Sequence, residues 1–138
     1  MIGVVIVTHS NLGQALIEAA GFILGGPPEA TVAVSIDINE NVDRLRRKID
    51  DGMRQVRGQD GIVILTDMFG GTPSNLSYSF LEEGRVEVLS GVNLPILVKA
   101  INARGKMDLS QLATTLETYG KKSISLASGI LKGNKRSG

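Results

Sequence analysis

The chain contains one histidine, His9, at the point where an apolar segment gives way to a predicted helix. Such a position predicts that His9 lies at the carboxyl end of a parallel strand. Ligands of open α/β sheets bind at the carboxyl ends of the strands. An imidazole titrates near neutral pH, so it can act as a base, a nucleophile or a metal ligand. The sequence therefore makes His9 the first candidate for a catalytic side chain.

Two aspartates, Asp37 and Asp67, follow other predicted strands in the same way. In the flavodoxin-like strand order 2-1-3-4, strands one and three are neighbours, so we expect His9 and Asp67 to face one crevice. A carboxylate beside an imidazole can hydrogen-bond one ring nitrogen and leave the other nitrogen free to react. Asp67 is therefore the second candidate catalytic residue, whereas the position of Asp37 favours a helix cap.

The segment that follows Asp67, Met68-Phe69-Gly70-Gly71-Thr72-Pro73-Ser74, is suited to binding an anion. Its glycines let the backbone approach a ligand, and it leads into a predicted helix with Thr72 as N-cap and Pro73 as first residue. Free N–H groups at such a point suit a phosphoryl group held on a histidine. The candidate phosphoryl-binding residues are Gly70, Gly71, Thr72 and Ser74. The segment has no lysine, so it is not a Walker A loop, and nucleotide binding is poorly supported.

The bulk composition is that of an ordinary soluble domain of 138 residues, with 42% hydrophobic and 21% charged residues. A net charge of +1 argues against nucleic acid as a partner. The absence of cysteine excludes disulfides and thiolate chemistry, and a single histidine excludes a histidine-rich metal site. We therefore expect no metal and no cofactor. The apolar start lacks the basic region of a signal peptide, which predicts a cytoplasmic protein.

Four β-rich segments alternate with amphipathic helical patterns, which predicts an α/β fold with a doubly wound, mainly parallel sheet. The predicted strands are Ile2–Val7, Thr31–Ile36, Gly61–Thr66 and Arg85–Leu89. The last predicted helix begins at Asp108 with a capping box and ends with Gly120 as C′. Beyond it, Lys122–Ala127 alternates apolar residues with serines, which favours an antiparallel strand at the sheet edge over a helical tail.

Three motifs in order along the chain carry a specific resemblance: Val5–Ser10, Leu65–Pro73 and Ser90–Pro95. They are similar to those of the IIA component of the mannose family, which belongs to the bacterial phosphoenolpyruvate-dependent sugar phosphotransferase system. The resemblance extends from Met1 to Ala127. It implies a phosphotransfer domain over residues 1–128. The basic residues among glycine, asparagine and serine in residues 129–138 predict a flexible basic tail.

The resemblance implies that the chain is a phosphotransferase that works as a phosphoryl carrier. His9 would accept the phosphoryl group from phospho-HPr and pass it to a histidine of a IIB component, while Asp67 would bond the opposite ring nitrogen. Thr72 and the nearby backbone amides would contact the phosphoryl oxygens, and no metal or nucleotide would be required. Relatives commonly have a tryptophan where this chain has Phe69, so Phe69 is the expected contact for a partner protein.

The resemblance also implies a homodimer in which the predicted edge strand, Lys122–Ala127, is exchanged between subunits. It allows peripheral association with the membrane components IIC and IID. Three other functions stay open at this point. They are a regulatory phosphorelay without a transport partner, the phosphotransfer subunit of a dihydroxyacetone kinase, and a non-catalytic flavodoxin-like binding module in which His9 is incidental. The intact Phe69–Pro73 motif favours the mannose family over the kinase subunit.

Overall fold

The sheet that carries His9 has four parallel strands in the computed structural model, which describes the backbone of residues 1–137 and the side chains of residues 1–132. The strands are β1 (Gly3–His9), β2 (Thr31–Ile36), β3 (Ile62–Thr66) and β4 (Val86–Ser90). Their order is β2-β1-β3-β4, and every pairing is parallel. The predicted class and the predicted order 2-1-3-4 are therefore confirmed.

Helices cover both faces of this sheet. They are α1 (Leu12–Leu24), α2 (Val42–Val56), α3 (Thr72–Tyr78), α4 (Leu94–Ala103), α5 (Leu109–Lys122) and α6 (Ala127–Ser137). Successive residues of the central strand β1 point to opposite faces, so Val4 and Ile6 pack with α1, α4 and α5, whereas Val5 and Val7 pack with α2 and α3. Because β1 is paired on both sides and covered on both faces, its end is a rigid support for His9.

One helix end follows the predicted chemistry, and the predictions for Asp37, Thr72 and Gly120 are wrong. The capping box of Asp108 and Gln111 is present, and α2 is capped by Asn41, with Asp37 bonding instead to the N–H of Asn39. The N-cap of α3 is Gly71 rather than Thr72, which is already helical. Gly120 lies inside α5 and does not end it. A Cβ at this position would be 2.6 Å from Cδ1 of Ile96, so a larger residue would not fit. Gly120 thus serves close packing between α4 and α5.

The predicted edge strand Lys122–Ala127 is absent from the described single chain, and its exchange between subunits stays a prediction. Lys122 ends α5 and Ala127 begins α6. Only four residues separate the helices, and the Ser123 hydroxyl bonds back to the carbonyl of Gly120. A strand needs a neighbour for its backbone hydrogen bonds, and the sheet of the described chain provides none for this segment. The alternating pattern therefore did not decide the local structure.

The helix α6 takes up most of the expected C-terminal tail. It continues to Ser137, so the expected boundary at residue 128 falls inside it, and the limits of the domain stay a prediction. Gly138 lies outside the described residues, as do the side chains of the basic residues Lys135 and Arg136. None of the helices in the described part of the chain is long and apolar enough to span a lipid bilayer.

Candidate active site

The structure brings His9 and Asp67 into direct contact. His9 is the last residue of β1, Asp67 follows the last residue of β3, and these two strands are paired neighbours. Nδ1 of His9 lies 2.7 Å from Oδ2 of Asp67, and the backbone N–H of His9 donates to the same oxygen at 2.9 Å. The structure thus brings together the two side chains that the sequence predicted to face each other.

The surroundings favour a charged Asp67 beside a partly open imidazole. The side chain of Asp67 is 10% exposed and that of His9 is 43% exposed. Burial acts to raise the pKa of Asp67, but the hydrogen bonds from the backbone and the imidazole of His9 outweigh it and hold this pKa below its ordinary value. An ionised carboxylate can only accept, so it favours the tautomer with the proton on Nδ1 of His9. Nε2 is then the nitrogen with a free lone pair.

The two glycines of the loop have different roles. Gly70 adopts φ +84°, a left-handed conformation that favours glycine. Gly71 is the N-cap of α3 in extended backbone, and a Cβ on it would lie 3.1 Å from Cε1 of His9. The missing side chain of Gly71 therefore lets the first turn of α3 lie directly against the imidazole.

Thr72 and Ser74 lie on different sides of α3. Thr72 is exposed next to Gly71, whereas Ser74 has no exposed surface. Residues two apart on a helix point about 200° away from each other, so both cannot face one ligand. The hydroxyl of Ser74 donates to the carbonyl of Met68 at 2.5 Å, inside the protein. The structure thus places Gly70, Gly71 and Thr72 on the open side of the site and Ser74 behind it.

Residues that the sequence reasoning missed surround Ser74. The hydroxyls of Thr66, Ser90 and Tyr78 form a connected set with it. Thr66 and Ser90 are the last residues of β3 and β4 and are register partners. The signal was present in the sequence, since two hydroxyl residues end adjacent apolar strands. Their contact with Ser74 could not be predicted, because it depends on which side of α3 faces the sheet.

The aromatic residue of the loop lies outside the core. Phe69 is 80% exposed, and its ring centroid is 6.4 Å from that of Tyr78 in a tilted arrangement. Met68 beside it is 55% exposed. A pair of exposed apolar side chains next to His9 is the kind of surface that a partner protein can cover.

The turn after His9 is held from the side of β2. Ser10 adopts φ +50°, which is uncommon for a residue with a side chain. Its carbonyl accepts a 2.6 Å hydrogen bond from the hydroxyl of Ser35, and Nζ of Lys48 donates to the carbonyl of Ser35 at 2.5 Å and to Glu40 at 2.8 Å. These hydrogen bonds fix the direction of the backbone directly after His9.

The described residues contain no group of three His, Asp or Glu side chains placed to hold a metal ion. A cavity of about 600 Å³ opens at the amino ends of β3 and β4, near Met53, Phe80 and Arg85. None of the candidate site residues lines this cavity. At the ends of β1 and β3, the geometry supports the chemistry of an imidazole beside a carboxylate and a glycine-rich helix start.

Comparisons with known proteins all find one family. A family model, EIIA-man, described as the fructose IIA component of the PTS system, matches residues 3–117. The fructose-specific EIIA component of Bacillus subtilis is 32% identical over 133 residues, which are 96% of this chain and 90% of that protein. The mannose-specific EIIAB component of Escherichia coli K12 is 31% identical over 104 residues, 75% of this chain and 32% of that protein. The crystal structure of EIIA from Streptococcus agalactiae matches with a TM-score of 0.82 and 27% identity, covering 94% of this chain and 99% of that chain.

The matched residues include the whole candidate site. IIA components of this system are phosphotransferases that act through a phosphohistidine, and they interact in general with HPr and IIB partners. The matches do not favour the kinase subunit, the separate regulatory relay or the non-catalytic binding module. The chain therefore belongs to the mannose-type IIA family of the sugar phosphotransferase system, in which it is a phosphoryl carrier.

Proposed function

We propose that His9 carries the phosphoryl group on Nε2. The observation that supports this most directly is the 2.7 Å contact between Nδ1 of His9 and Oδ2 of Asp67. With the Nδ1 proton held by the carboxylate, the lone pair of Nε2 is the one that can attack phosphorus. His9 is partly exposed, so a phosphorylated partner protein can reach it.

The transfer is an in-line displacement between two proteins. Nε2 forms a bond to phosphorus while the bond between phosphorus and the donor breaks, and the electron pair of that bond returns to the donor. Positive charge develops on the ring of His9, and the ionised Asp67 stabilises it. Such a loose transition state depends on positioning and anion stabilisation more than on covalent assistance from the protein. The same steps run backwards when His9 gives up the group.

Gly70, Gly71 and Thr72 hold the phosphoryl oxygens in this proposal. The absent side chain of Gly71 brings the loop within van der Waals reach of the imidazole, as the 3.1 Å position of its hypothetical Cβ indicates. Backbone N–H groups and the Thr72 hydroxyl on this side are donors that suit three negative oxygens. Ser74 is assigned a different part because its hydroxyl is buried.

The direct test uses the fact that His9 is the only histidine of the chain. The purified protein is incubated with phosphoenolpyruvate, enzyme I and HPr, and its intact mass is measured at neutral and acid pH. We expect a gain of one phosphoryl group that acid removes and that His9→Ala abolishes, with unchanged circular dichroism. Label that survives His9→Ala, or a wild-type chain that takes no label, would refute the assignment.

The proposed donor is phospho-HPr, the proposed acceptor is a IIB component, and Phe69 is the proposed contact for these proteins. Phe69→Ala should slow transfer from phospho-HPr several-fold, because an exposed aromatic at an interface contributes contact area. It should leave labelling by a small phosphodonor unchanged, because that donor does not cover the loop. Phe22→Ala is the matched control, since Phe22 is 92% exposed and lies near the C-terminal end of α1, whereas His9 precedes the start of that helix. Equal loss with both donors would contradict the partner role.

The proposal includes a cytoplasmic homodimer that reaches the membrane components IIC and IID only by peripheral association. Exposed apolar side chains near the C-terminus support self-association: Ile124 is 81% exposed, Leu126 76% and Leu131 64%. Large apolar side chains that are exposed so close together along the chain are typical of a surface that a partner covers. Light scattering should give a dimer for the wild type and a monomer for Leu126→Asp, with Leu81→Asp as control. A monomeric wild type would refute the dimer but not the phosphoryl carrier.

A further inference from the structure

A cluster of four hydroxyl groups lies directly behind the segment Met68–Gly71, called here the glycine loop. Its members are Thr66, Ser74, Tyr78 and Ser90, called here the hydroxyl cluster. Oγ of Ser74 is 2.5 Å from Oγ1 of Thr66 and 3.0 Å from Oγ of Ser90, and Oη of Tyr78 is 3.0 Å from Oγ of Ser90. Thr66 and Ser74 have no exposed surface. Hydroxyls removed from water must be hydrogen-bonded, so their partners decide which groups they hold in place.

Ser74 is the member of the hydroxyl cluster that reaches the loop. Its hydroxyl donates to the carbonyl oxygen of Met68 at 2.5 Å. A serine has one proton, so with that proton committed its oxygen can only accept hydrogen bonds from neighbouring hydroxyls. The bonding capacity of Ser74 is therefore used inside the protein, and its single donor is directed at the residue that follows Asp67.

The carbonyl that Ser74 holds is at the start of the segment that reaches His9. From Met68 the chain turns at Gly70 in its left-handed conformation and arrives at Gly71, beside Cε1 of His9. We infer that Ser74 is a positioning residue for phosphoryl transfer, because its bond to Met68 fixes the loop whose amides lie beside the imidazole. Tyr78 extends the same arrangement, since its hydroxyl bonds Ser90 while its ring lies against Phe69.

This inference rests on the proposed function, and α3 itself provides a matched control. Ser77 is also a buried serine of α3, and its hydroxyl donates to the carbonyl of Pro73 at 2.6 Å. Ser74→Ala and Ser77→Ala therefore each remove one buried hydroxyl that donates to a backbone carbonyl. They differ in that only the carbonyl bonded to Ser74 belongs to the glycine loop. A general loss of stability should affect both variants in a similar way.

The experiment measures single-turnover transfer from phospho-HPr per folded molecule, over a range of donor concentrations. For Ser74→Ala we expect the maximal rate to fall about tenfold, since a small displacement of positioning groups has a large effect on rate. The donor concentration at half-maximal rate should change less, because the docking surface is intact. Hydrogen exchange at the amides of Gly70 and Gly71 should become faster. Ser77→Ala should change the maximal rate less than twofold and leave exchange in the loop unchanged.

Tyr78→Phe is the second variant, and it keeps the test decisive if Ser74→Ala folds poorly. It removes one hydroxyl of the cluster but keeps the ring against Phe69, so we expect a smaller fall in maximal rate in the same direction. If the wild type takes the label but Ser74→Ala or Tyr78→Phe transfers as fast as Ser77→Ala, this inference alone is overturned. A wild-type chain that takes no phosphoryl group would overturn the proposed function, and this inference with it.

Discussion

One oxygen of Asp67, Oδ2, accepts hydrogen bonds from both the backbone N–H and the ring Nδ1 of His9, at 2.9 and 2.7 Å. The backbone bond fixes the carboxylate relative to the end of β1, and the ring bond then fixes the imidazole relative to the carboxylate. The Asp67 carboxylate, which follows the neighbouring strand β3, thereby limits rotation of the imidazole about the side-chain bonds of His9. The orientation of Nε2 is set before any partner arrives.

Asp67→Asn should slow phosphoryl transfer without unfolding the chain. Asparagine has nearly the same size but no charge, so it neither favours the Nδ1 proton as strongly nor stabilises the cationic ring. We expect a loss of about 100-fold in the single-turnover rate from phospho-HPr, at the low end of what proton-orienting groups contribute. Asp37→Asn is the control, because Asp37 is exposed and bonds only locally. An unchanged rate in Asp67→Asn would reduce Asp67 to a turn residue.

The pH dependence of stability should report the same contact. The pKa of Asp67 is held below its ordinary value because the bonds from His9 outweigh the opposing effect of burial. The unfolded chain therefore binds this proton more readily than the folded chain, so the stabilisation is present above the ordinary carboxyl pKa and is lost as the pH falls below it. Urea unfolding from neutral pH down to about pH 3 should show the stability advantage of the wild type over Asp67→Asn shrinking on acidification. A constant difference across that range would contradict the contact.

Gly71→Ala should impair transfer more than stability. The backbone of Gly71 at φ −85° is accessible to alanine, so the substitution adds no backbone strain. Its Cβ would lie 3.1 Å from Cε1 of His9, so the ring or the loop must move by a few tenths of an ångström. We expect the transfer rate to fall about tenfold because the loop and the ring are displaced from each other. Gly105→Ala meets no atom within 4 Å and should leave the rate unchanged. Equal rates in the two variants would show that the close approach is not needed.

Arg104→Met should reduce stability and leave the chemistry intact. Arg104 is 5% exposed and donates to the carbonyls of Ile2, Ala30 and Glu29 and to the hydroxyl of Thr31. These groups lie at the amino ends of β1 and β2, away from His9. Removing the guanidinium takes away all of these hydrogen bonds, and we expect a loss of about 1–3 kcal/mol in the free energy of unfolding.

The control for Arg104→Met is Arg54→Met, since Arg54 is exposed and forms only an i,i+4 ion pair with Asp50. Its unfolding free energy should change by less than about 0.5 kcal/mol. Thermal and urea unfolding give the stabilities, and the transfer rate is measured per folded molecule. A slower transfer rate in Arg104→Met, at full folding, would indicate coupling between the two ends of the sheet.

The parts of the fold that the sequence predicted are those set by continuous apolar segments. Strand β1 is buried from Val4 to Val7, and β3 is buried throughout, so their parallel pairing and the position of His9 and Asp67 at one edge followed from the pattern. The role of Ser74 did not follow, because it depends on which side of α3 faces the sheet. That orientation is a consequence of packing, and a seven-residue helix has too little periodicity to reveal it.

The C-terminal segment shows a second limit of the sequence. Alternation of Ile124 and Leu126 with serines is typical of a strand, but a strand exists only if another strand is beside it. In the single chain that condition fails, and the residues between α5 and α6 follow the helices that flank them. Local spacing does not say whether a partner strand is available. This explains why the single chain has no strand here, whereas the predictions for the central strands are confirmed.

The backbone N–H of His9 bonds a carboxylate instead of a strand carbonyl, and this makes residue 9 a built-in spectroscopic probe. An amide proton that is bonded to an ionised oxygen changes its resonance frequency when that oxygen is neutralised or moves. The backbone signal of His9 should therefore follow the charge of Asp67 in a nuclear magnetic resonance titration. It should also record the arrival of a phosphoryl group on the adjacent ring. The occupancy of the carrier could then be followed during turnover without a dye, a radioactive label or a change in the sequence.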